Sequence, residues 1–503
     1  MIEFSAAQIA TLCNGRLSTG THPETLIDVA TIVTDSRASV PGALYVAKSG
    51  EHADGHDFIP AAFAAGAVLA LAEREVHAGQ GSNDAPTPYP AVIVDDAILA
   101  MGALAAEVVR RIRAHSPLTV IGITGSAGKT TTKDLLAGIL DPVGPTVAPV
   151  GSYNGEVGVP LTVFRAVEDT RYLIIEMGAT KIGQISYLSQ LVEPDIGVVL
   201  CVGSAHAGEF GSIDNIAEAK GELVQALAPS GTAILNFDDS RVRAMAARAT
   251  APITYFSSAD AQETAAAPTV QARNVRTTDG NPEFDLIFAG GSRSYPVHSR
   301  LLGLHHVTNL LAAAAAAQVA GAAPEQIAAS LNSQGAVSRH RMERTDRADG
   351  VTVINDAYNA NPESMRAALR TLAELGAGGT RRTWAVLGEM LELGEAAVLE
   401  HDAVGRVAVR LNISRLIVVG TPARAMHVGA VMEGSWGDES MFVPDVEAAY
   451  ELLERELAPG DVVLVKSSRD AGLRFLGDRI ALPSKSTPKN TQSNIPGERT
   501  QQP

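Results

Sequence analysis

The stretch from Leu118 to Leu140 constrains this chain more than any other. Leu118-Thr119-Val120 is apolar, and residues 121–133 read Ile-Gly-Ile-Thr-Gly-Ser-Ala-Gly-Lys-Thr-Thr-Thr-Lys. The order is a strand, a glycine-rich turn, and a helix opened by Lys129 and Thr130, with Leu135, Leu136, Ile139 and Leu140 on its apolar face. Such a turn cradles phosphate, because backbone N–H groups and the positive end of the helix dipole converge on an oxyanion. Gly125, Ser126, Ala127, Gly128 and Thr131 form the cradle, Lys129 neutralises the β- and γ-phosphates, and the Thr130 hydroxyl is placed to ligate Mg²⁺. The strict form of this loop has glycine five residues before Gly128, where Ile123 stands; the glycines here are Gly122, Gly125 and Gly128.

At 503 residues the chain has room for about three domains. Lys and Arg total 40 against 56 Asp and Glu, a net charge of −16, which argues against a general nucleic-acid binder. Cys13 and Cys201 form neither a disulfide framework nor a zinc spacing, and read as reduced core residues of a cytosolic chain. Met-Ile-Glu-Phe-Ser has no basic segment followed by an apolar one, so no signal peptide is expected. Leu310 to Ala323 is too short to span a bilayer and reads as a buried helix.

The chain divides into an N-terminal α/β unit (1–100), a central nucleotide unit (101–334), a C-terminal Rossmann-like unit (335–482) and a disordered tail (483–503). In the first, Ala6 to Leu12 reads as a helix and residues 32–34, 43–47 and 91–94 as strands, with 79–90 a loop. In the second, the helix Ala97 to His115 leads into the phosphate-loop strand; strands follow at 172–176, 196–202, 232–235 and 253–256, alternating with helices. A mostly parallel sheet covered on both faces follows from that alternation. The third unit repeats it, with strands at 351–355, 383–387, 416–419 and 462–465 and helices at 363–375, 397–410 and 446–457.

Glu176 ends the strand Tyr-Leu-Ile-Ile-Glu and precedes Met-Gly-Ala. An acid at the carboxyl end of a strand beside a phosphate loop is where Mg²⁺ or its water is held. His206, in Gly-Ser-Ala-His-Ala-Gly, lies past the next strand and reads equally as a ligand or an ordinary loop residue. Lys220, in Ala-Glu-Ala-Lys-Gly-Glu on a helix starting near Ile213, reads by itself as a solvated lysine.

These segments occur in one chain and in one order with Asn-Asp-Ala-Tyr-Asn-Ala-Asn-Pro (355–362), Val-Leu-Gly-Glu-Met-Leu-Glu-Leu-Gly (386–394) and Val-Leu-Val-Lys-Ser-Ser-Arg (463–469). Thr34-Asp35-Ser36-Arg37 and Gly55-His56-Asp57-Phe58 precede them. Over residues 1 to about 480 the set closely resembles the Mur ligase family in its MurF type. The resemblance implies three domains, for a UDP-substrate, ATP and the ligase partner. It implies a cytoplasmic step of peptidoglycan synthesis, in which D-alanyl-D-alanine is added to a UDP-N-acetylmuramoyl-tripeptide through an acyl phosphate, by an enzyme expected to be a monomer with no membrane insertion.

By the same resemblance Lys129 and Thr130 hold ATP and a first Mg²⁺, Glu176 supports that metal, and His206 supports a second. Lys220 is N6-carboxylated, which turns a cation into a metal ligand. Asn309 contacts adenine; Asp356 and Tyr358 approach ATP from the third domain; Arg339, Asn359 and Asn361 border the closed site. Ser36, Arg37 and Asn154 contact the UDP-substrate, and an arginine suits its diphosphate. His56 and Asp57 are either part of that site or purely structural. The family's pattern is not followed at Gly155 and His306, where asparagine is common, or at Ser467, where glycine is usual. Two other readings stay open: a related ligase with a different amino-acid acceptor, such as a folylpolyglutamate synthetase, and a nucleotide-dependent binding module without ligase chemistry. Against the diamino-acid-adding type, Asp-Asn-Pro-Arg is absent while Asn359-Ala360-Asn361-Pro362 is present.

Overall fold

The computed structural model describes residues 2–50, 53–78, 87–203, 207–258, 269–291, 293–377, 379, 381–435 and 437–482. The expected tail lies outside them, as does most of the loop 79–90. The architecture is α/β, built on three principal sheets.

The first has the order Arg16–Leu17, Ala91–Ile93, Leu69–Ala72, Leu44–Val46, Ile32–Val33, parallel except at Arg16–Leu17. Its central strand Leu69–Ala72 is missing from the sequence reading. Leu-Ala-Leu-Ala favours a helix locally, but all four residues are buried, and packing overrides that preference. The helix Ala97–His115 joins this sheet to the next: Met101, Leu104, Val108 and Ile112 share one core with Leu44, Leu71, Leu173 and Ile175.

The second sheet runs Ser294–His298, Asn281–Phe288, Val270–Thr278, Ile253–Ser257, Thr232–Asn236, Ile196–Val199, Thr119–Thr124, Tyr172–Glu176, Thr146–Val147. The phosphate-loop strand Thr119–Thr124 lies between Tyr172–Glu176 and Ile196–Val199 and is parallel to both. The chain visits one side of it and then the other, so the loops after these strands meet at a topological switch point. The strands Val270–Thr278, Asn281–Phe288 and Ser294–His298 form an antiparallel meander that the sequence reading lacks. Its first turn is Asp279-Gly280, with φ of 50° and 77° between paired Thr278 and Asn281. That is a two-residue hairpin of the primed type, for which Asp-Gly is a strong signal. Pro282, Phe284, Leu286 and Phe288 alternate inward along the next strand.

The third sheet runs Glu343–Asp346, Thr352–Asn355, Val462–Lys466, Thr383–Leu387, Arg415–Val419, Ser440–Val443, parallel except at its first strand. Its unit meets the second through side chains and through backbone. Leu302 shares a core with Leu369, Leu372 and Leu375, and the Gly208 amide donates to the Glu392 carbonyl at 3.2 Å.

Candidate active site

Helix Lys129–Leu140 starts directly after Gly128, whose φ is 84°. A Cβ on Gly128 would also stand 2.1 Å from Oδ1 of Asn309. Glycine is therefore demanded both by the backbone and by the approach of helix His306–Val319, which carries Asn309. The Ser126 hydroxyl accepts from the Gly203 amide at 2.9 Å, tying the phosphate loop to the loop after Ile196–Val199. Lys129 Nζ donates to the Gly125 carbonyl at 2.8 Å, and burial lowers its pKa.

Parallel pairing sets Glu176 opposite Ile123, so its buried carboxylate reaches the loop's first helical turn. Thr130 Oγ1 donates to Glu176 Oε2 at 2.8 Å, and Asn154 Nδ2 donates to Oε1 at 2.8 Å. Gly178 is glycine because a Cβ would meet the Asn154 amide at 2.8 Å. Thr130 Oγ1 also lies 3.1 Å from Ser152 Oγ, to which Arg341 Nη2 donates at 2.7 Å. Arg341 in turn stacks its guanidinium 4.5 Å from the Tyr358 ring centre.

The third sheet supplies the facing wall. Lys466 ends the strand Val462–Lys466; buried, it donates to Asp356 Oδ2 at 2.6 Å and to the Asn359 carbonyl at 2.9 Å. The other Asp356 oxygen accepts from the Met342 amide at 3.0 Å. Asn361 caps helix Pro362–Gly376, its Oδ1 accepting from the Ser364 amide at 2.8 Å. The phosphate loop, Asn154, Glu176, Asn309, Arg341, Asp356, Tyr358, Asn359, Asn361 and Lys466 all line one cavity of about 530 Å³.

The expected site residues outside that wall fall into three groups. Lys220 lies on helix Ile213–Gln225, only 3% exposed. Burial, then the charge of Lys129, brings its pKa down to about 7, so it is not a solvated lysine. His206 lies outside the described residues. Arg339 is exposed, pairs with Asp478 at 3.0 Å and does not line the cavity; Arg341, two residues on, does. Ser36 and Arg37 sit in a short turn of the N-terminal unit, where Arg37 is exposed and clasps Asp35 at 2.7 Å; they do not line the cavity either.

His56 is wholly buried, its Nε2 accepting from the Glu73 amide at 2.9 Å and its Nδ1 bonded to Asp54 at 2.5 Å, a structural arrangement. Ser467 is buried without a positive φ, so this position does not require glycine. Gly155 faces open space, and of these two neighbouring positions it is Asn154 that bonds Glu176. His306 packs under Asn309, whose amide donates to its Nδ1 at 3.2 Å, and burial holds its pKa well down. Sequence reasoning assigned no role to Arg341, Ser152 or Lys466. Lys466 carried a signal, a lysine closing an all-apolar strand, since lysine is rarely buried without a partner.

Three family models match the chain: "Mur ligase family, catalytic domain" over residues 28–115, "Mur ligase middle domain" over 123–317, and "Mur ligase, glutamate ligase domain" over 340–469. A curated relative from Mycobacterium bovis, named UDP-N-acetylmuramoyl-tripeptide--D-alanyl-D-alanine ligase, is 46% identical and covers 95% of this chain and 98% of its own. Among solved structures, MurF from Acinetobacter baumannii aligns with a TM-score of 0.82 at 30% identity, over 96% of this chain and 99% of that one. MurF ligase from Thermotoga maritima in complex with ADP aligns at 0.73 and 25% identity, over 90% and 98%.

Proposed function

The chain belongs to the Mur ligase family, and from that premise we propose that it joins D-alanyl-D-alanine to UDP-N-acetylmuramoyl-tripeptide, converting ATP to ADP and phosphate in the cytoplasmic assembly of peptidoglycan precursors. The observation that carries this reading is the single cavity walled by the phosphate loop on one side and by Asp356, Tyr358, Asn359 and Lys466 on the other. A nucleotide held on the loop and an acceptor held by the third sheet meet there. No helix among the described residues is long and apolar enough to cross a membrane.

A carboxylate is a poor acyl donor. One carboxylate oxygen of the tripeptide attacks the γ-phosphorus, the bond to ADP breaks, and an acyl phosphate results. The dipeptide amine then adds to the acyl carbon, loses its proton, and the tetrahedral intermediate expels phosphate. No protein nucleophile is required; positioning and charge neutralisation carry the rate. Residues 125–131 hold the triphosphate, with Lys129 neutralising it. Arg341, poised between Ser152 and Tyr358, supplies a second positive charge to the transferring group. Asn309 borders the base. Asp356 and Tyr358 approach the nucleotide, while Asn359 and Asn361 border the dipeptide.

The oxygens of Thr130 and Glu176 converge, a hard-donor pair that fits Mg²⁺. Thr130 and Glu176 would hold one ion, and His206 with Lys220 as N6-carboxylysine a second. When bound, these ions neutralise charge on the phosphates and on the attacking carboxylate. A lysine whose pKa is near 7 offers the neutral amine that carboxylation requires. Residues 1–100, with Ser36 and Arg37, would take the UDP-sugar, 101–334 the ATP and 335–482 the dipeptide, in a monomer.

Mass analysis of products decides the reading. With UDP-muramoyl-tripeptide, D-alanyl-D-alanine and ATP, one pentapeptide product is expected per ADP formed. Rapid ATP hydrolysis with neither co-substrate, or faster use of a single amino acid than of the dipeptide, contradicts it.

A further inference from the structure

One wall of the cavity is Asn309 against Gly128, beside the phosphate loop. Another is built by Glu156, Thr180, Gln184 and Leu188. This second wall backs onto the helix that joins the first sheet to the second. Helix Gln184–Val192 packs on helix Ala97–His115, whose N-cap is Asp96. Tyr187 sits at that helix contact, its hydroxyl against Gly102; its phenol, pushed up by burial, is raised further by Glu156 and Asp96.

The cavity's acidic groups differ in how they are satisfied. Both oxygens of Glu176 are engaged by Thr130 and Asn154, and Asp356 is paired with Lys466. Glu156 is half-buried, and its contact is the Gln184 amide at 3.5 Å. No lysine or arginine pairs with it among the described residues. A half-buried carboxylate that lines the cavity, with no lysine or arginine bonded to it among the described residues, can accept a charge-assisted hydrogen bond from a ligand ammonium.

We infer that Glu156 is a specificity-determining residue that receives a side-chain ammonium on the last residue of the peptide substrate. The inference rests on the ligase reading above. The carboxyl being activated must lie at Lys129, Thr130 and Glu176. Glu156 is two residues from Asn154, which holds Glu176, so it stands close to that carboxyl. It also lies beside Gln184, on the helix that packs against Ala97–His115. A diamino acid bearing the reacting carboxyl carries its ammonium a few methylenes away, within reach of a carboxylate on the same cavity.

The test compares UDP-muramoyl-tripeptides ending in a diamino acid or in norleucine, which keeps the methylenes and lacks the ammonium. Wild-type enzyme should favour the diamino substrate in kcat/KM by about tenfold or more, as for a charge-assisted hydrogen bond. Glu156→Gln should lose most of that preference through KM for the tripeptide, with KM for ATP and D-alanyl-D-alanine and the melting temperature unchanged. Glu156→Asp should restore part of it. Retention of the full preference in Glu156→Gln overturns the inference, as does a rise in KM for the dipeptide alone. Failure of the wild type to form product from either tripeptide would instead bring down the ligase reading.

Discussion

An ammonium at Lys220 would be buried beside the positive charge of Lys129, and its pKa of about 7 expresses that cost. Because the folded value lies below the ordinary 10.5, the unfolded chain binds more protons between the two. The penalty is therefore present in full below about pH 7 and fades as pH rises toward 10.5. In bicarbonate-free buffer, Lys220→Met should raise the unfolding free energy at pH 6, by up to about 5 kcal/mol, and do so much less at pH 10. Lys220→Arg keeps the charge but cannot carry a carbamate; it should lower kcat about a hundredfold or more and abolish the ¹³C carbamate resonance seen with labelled bicarbonate. Arg341 and Arg339 make a second contrast. Arg341→Ala should lower kcat/KM about a hundredfold, whereas Arg339→Ala, which breaks an exposed pair with Asp478, should change stability by about 1 kcal/mol or less and leave kcat/KM near wild type. Equal losses in the two variants would contradict the placement of Arg341. The two arginines are separated by one residue in Arg-His-Arg, and nothing local distinguishes them. What does is the turn of the chain at His340 and Met342, both with positive φ, which leaves Arg339 on the surface and Arg341 in the cavity.

Among the elements, helix Pro362–Gly376 joins stability to the site. Asn361 caps it and lines the cavity, so Asn361→Ala should cost about 1 kcal/mol in denaturant titrations, while Asn361→Ser keeps the cap and should hold stability. If Asn361 borders the dipeptide, both variants should still raise KM for the dipeptide. Elements were legible in the sequence where apolar periodicity and breakers agreed: helix Ala97–His115, the phosphate-loop strand and the strands Tyr172–Glu176 and Thr383–Leu387 stand where the pattern placed them. Legibility failed for three separate physical reasons. Leu69–Ala72 has helix-favouring residues forced into a strand by burial on both faces. Glu343–Asp346 is a polar edge strand with no buried residue to mark it. The meander after Val270 carried an Asp-Gly turn and an alternating Phe-Leu-Phe pattern, signals that a search for α/β alternation passes over.

For the whole molecule, the meeting of the second and third units is set by backbone. A Cβ on Gly208 would stand 2.7 Å from the Gly394 nitrogen and 2.9 Å from the Glu392 oxygen. Gly208 lies in the short helix Ala207–Phe210 and lacks a positive φ, so alanine is locally well tolerated there. Because the atoms it would meet are backbone, Gly208→Ala should nonetheless part the two units at this contact and lower the melting temperature slightly. It should also lower kcat about tenfold, because moving the third unit outward shifts Asp356 and Tyr358 relative to the phosphate loop. Unaltered kcat would show that this contact does not set the working distance. The sequence by itself determined what is contiguous: a strand, glycine turn and helix that bind phosphate, the alternation that makes parallel sheets, and the ordered segments that place the chain among the Mur ligases. The tertiary structure decided what depends on distance and dielectric. Glu176 is held by Thr130 and Asn154, Lys466 is neutralised by Asp356, Lys220 is stripped of solvent, and Glu156 is left without a cation among the described residues. Charge state and partnership are properties of packing, and residues that share a cavity are separated along the chain by up to hundreds of positions.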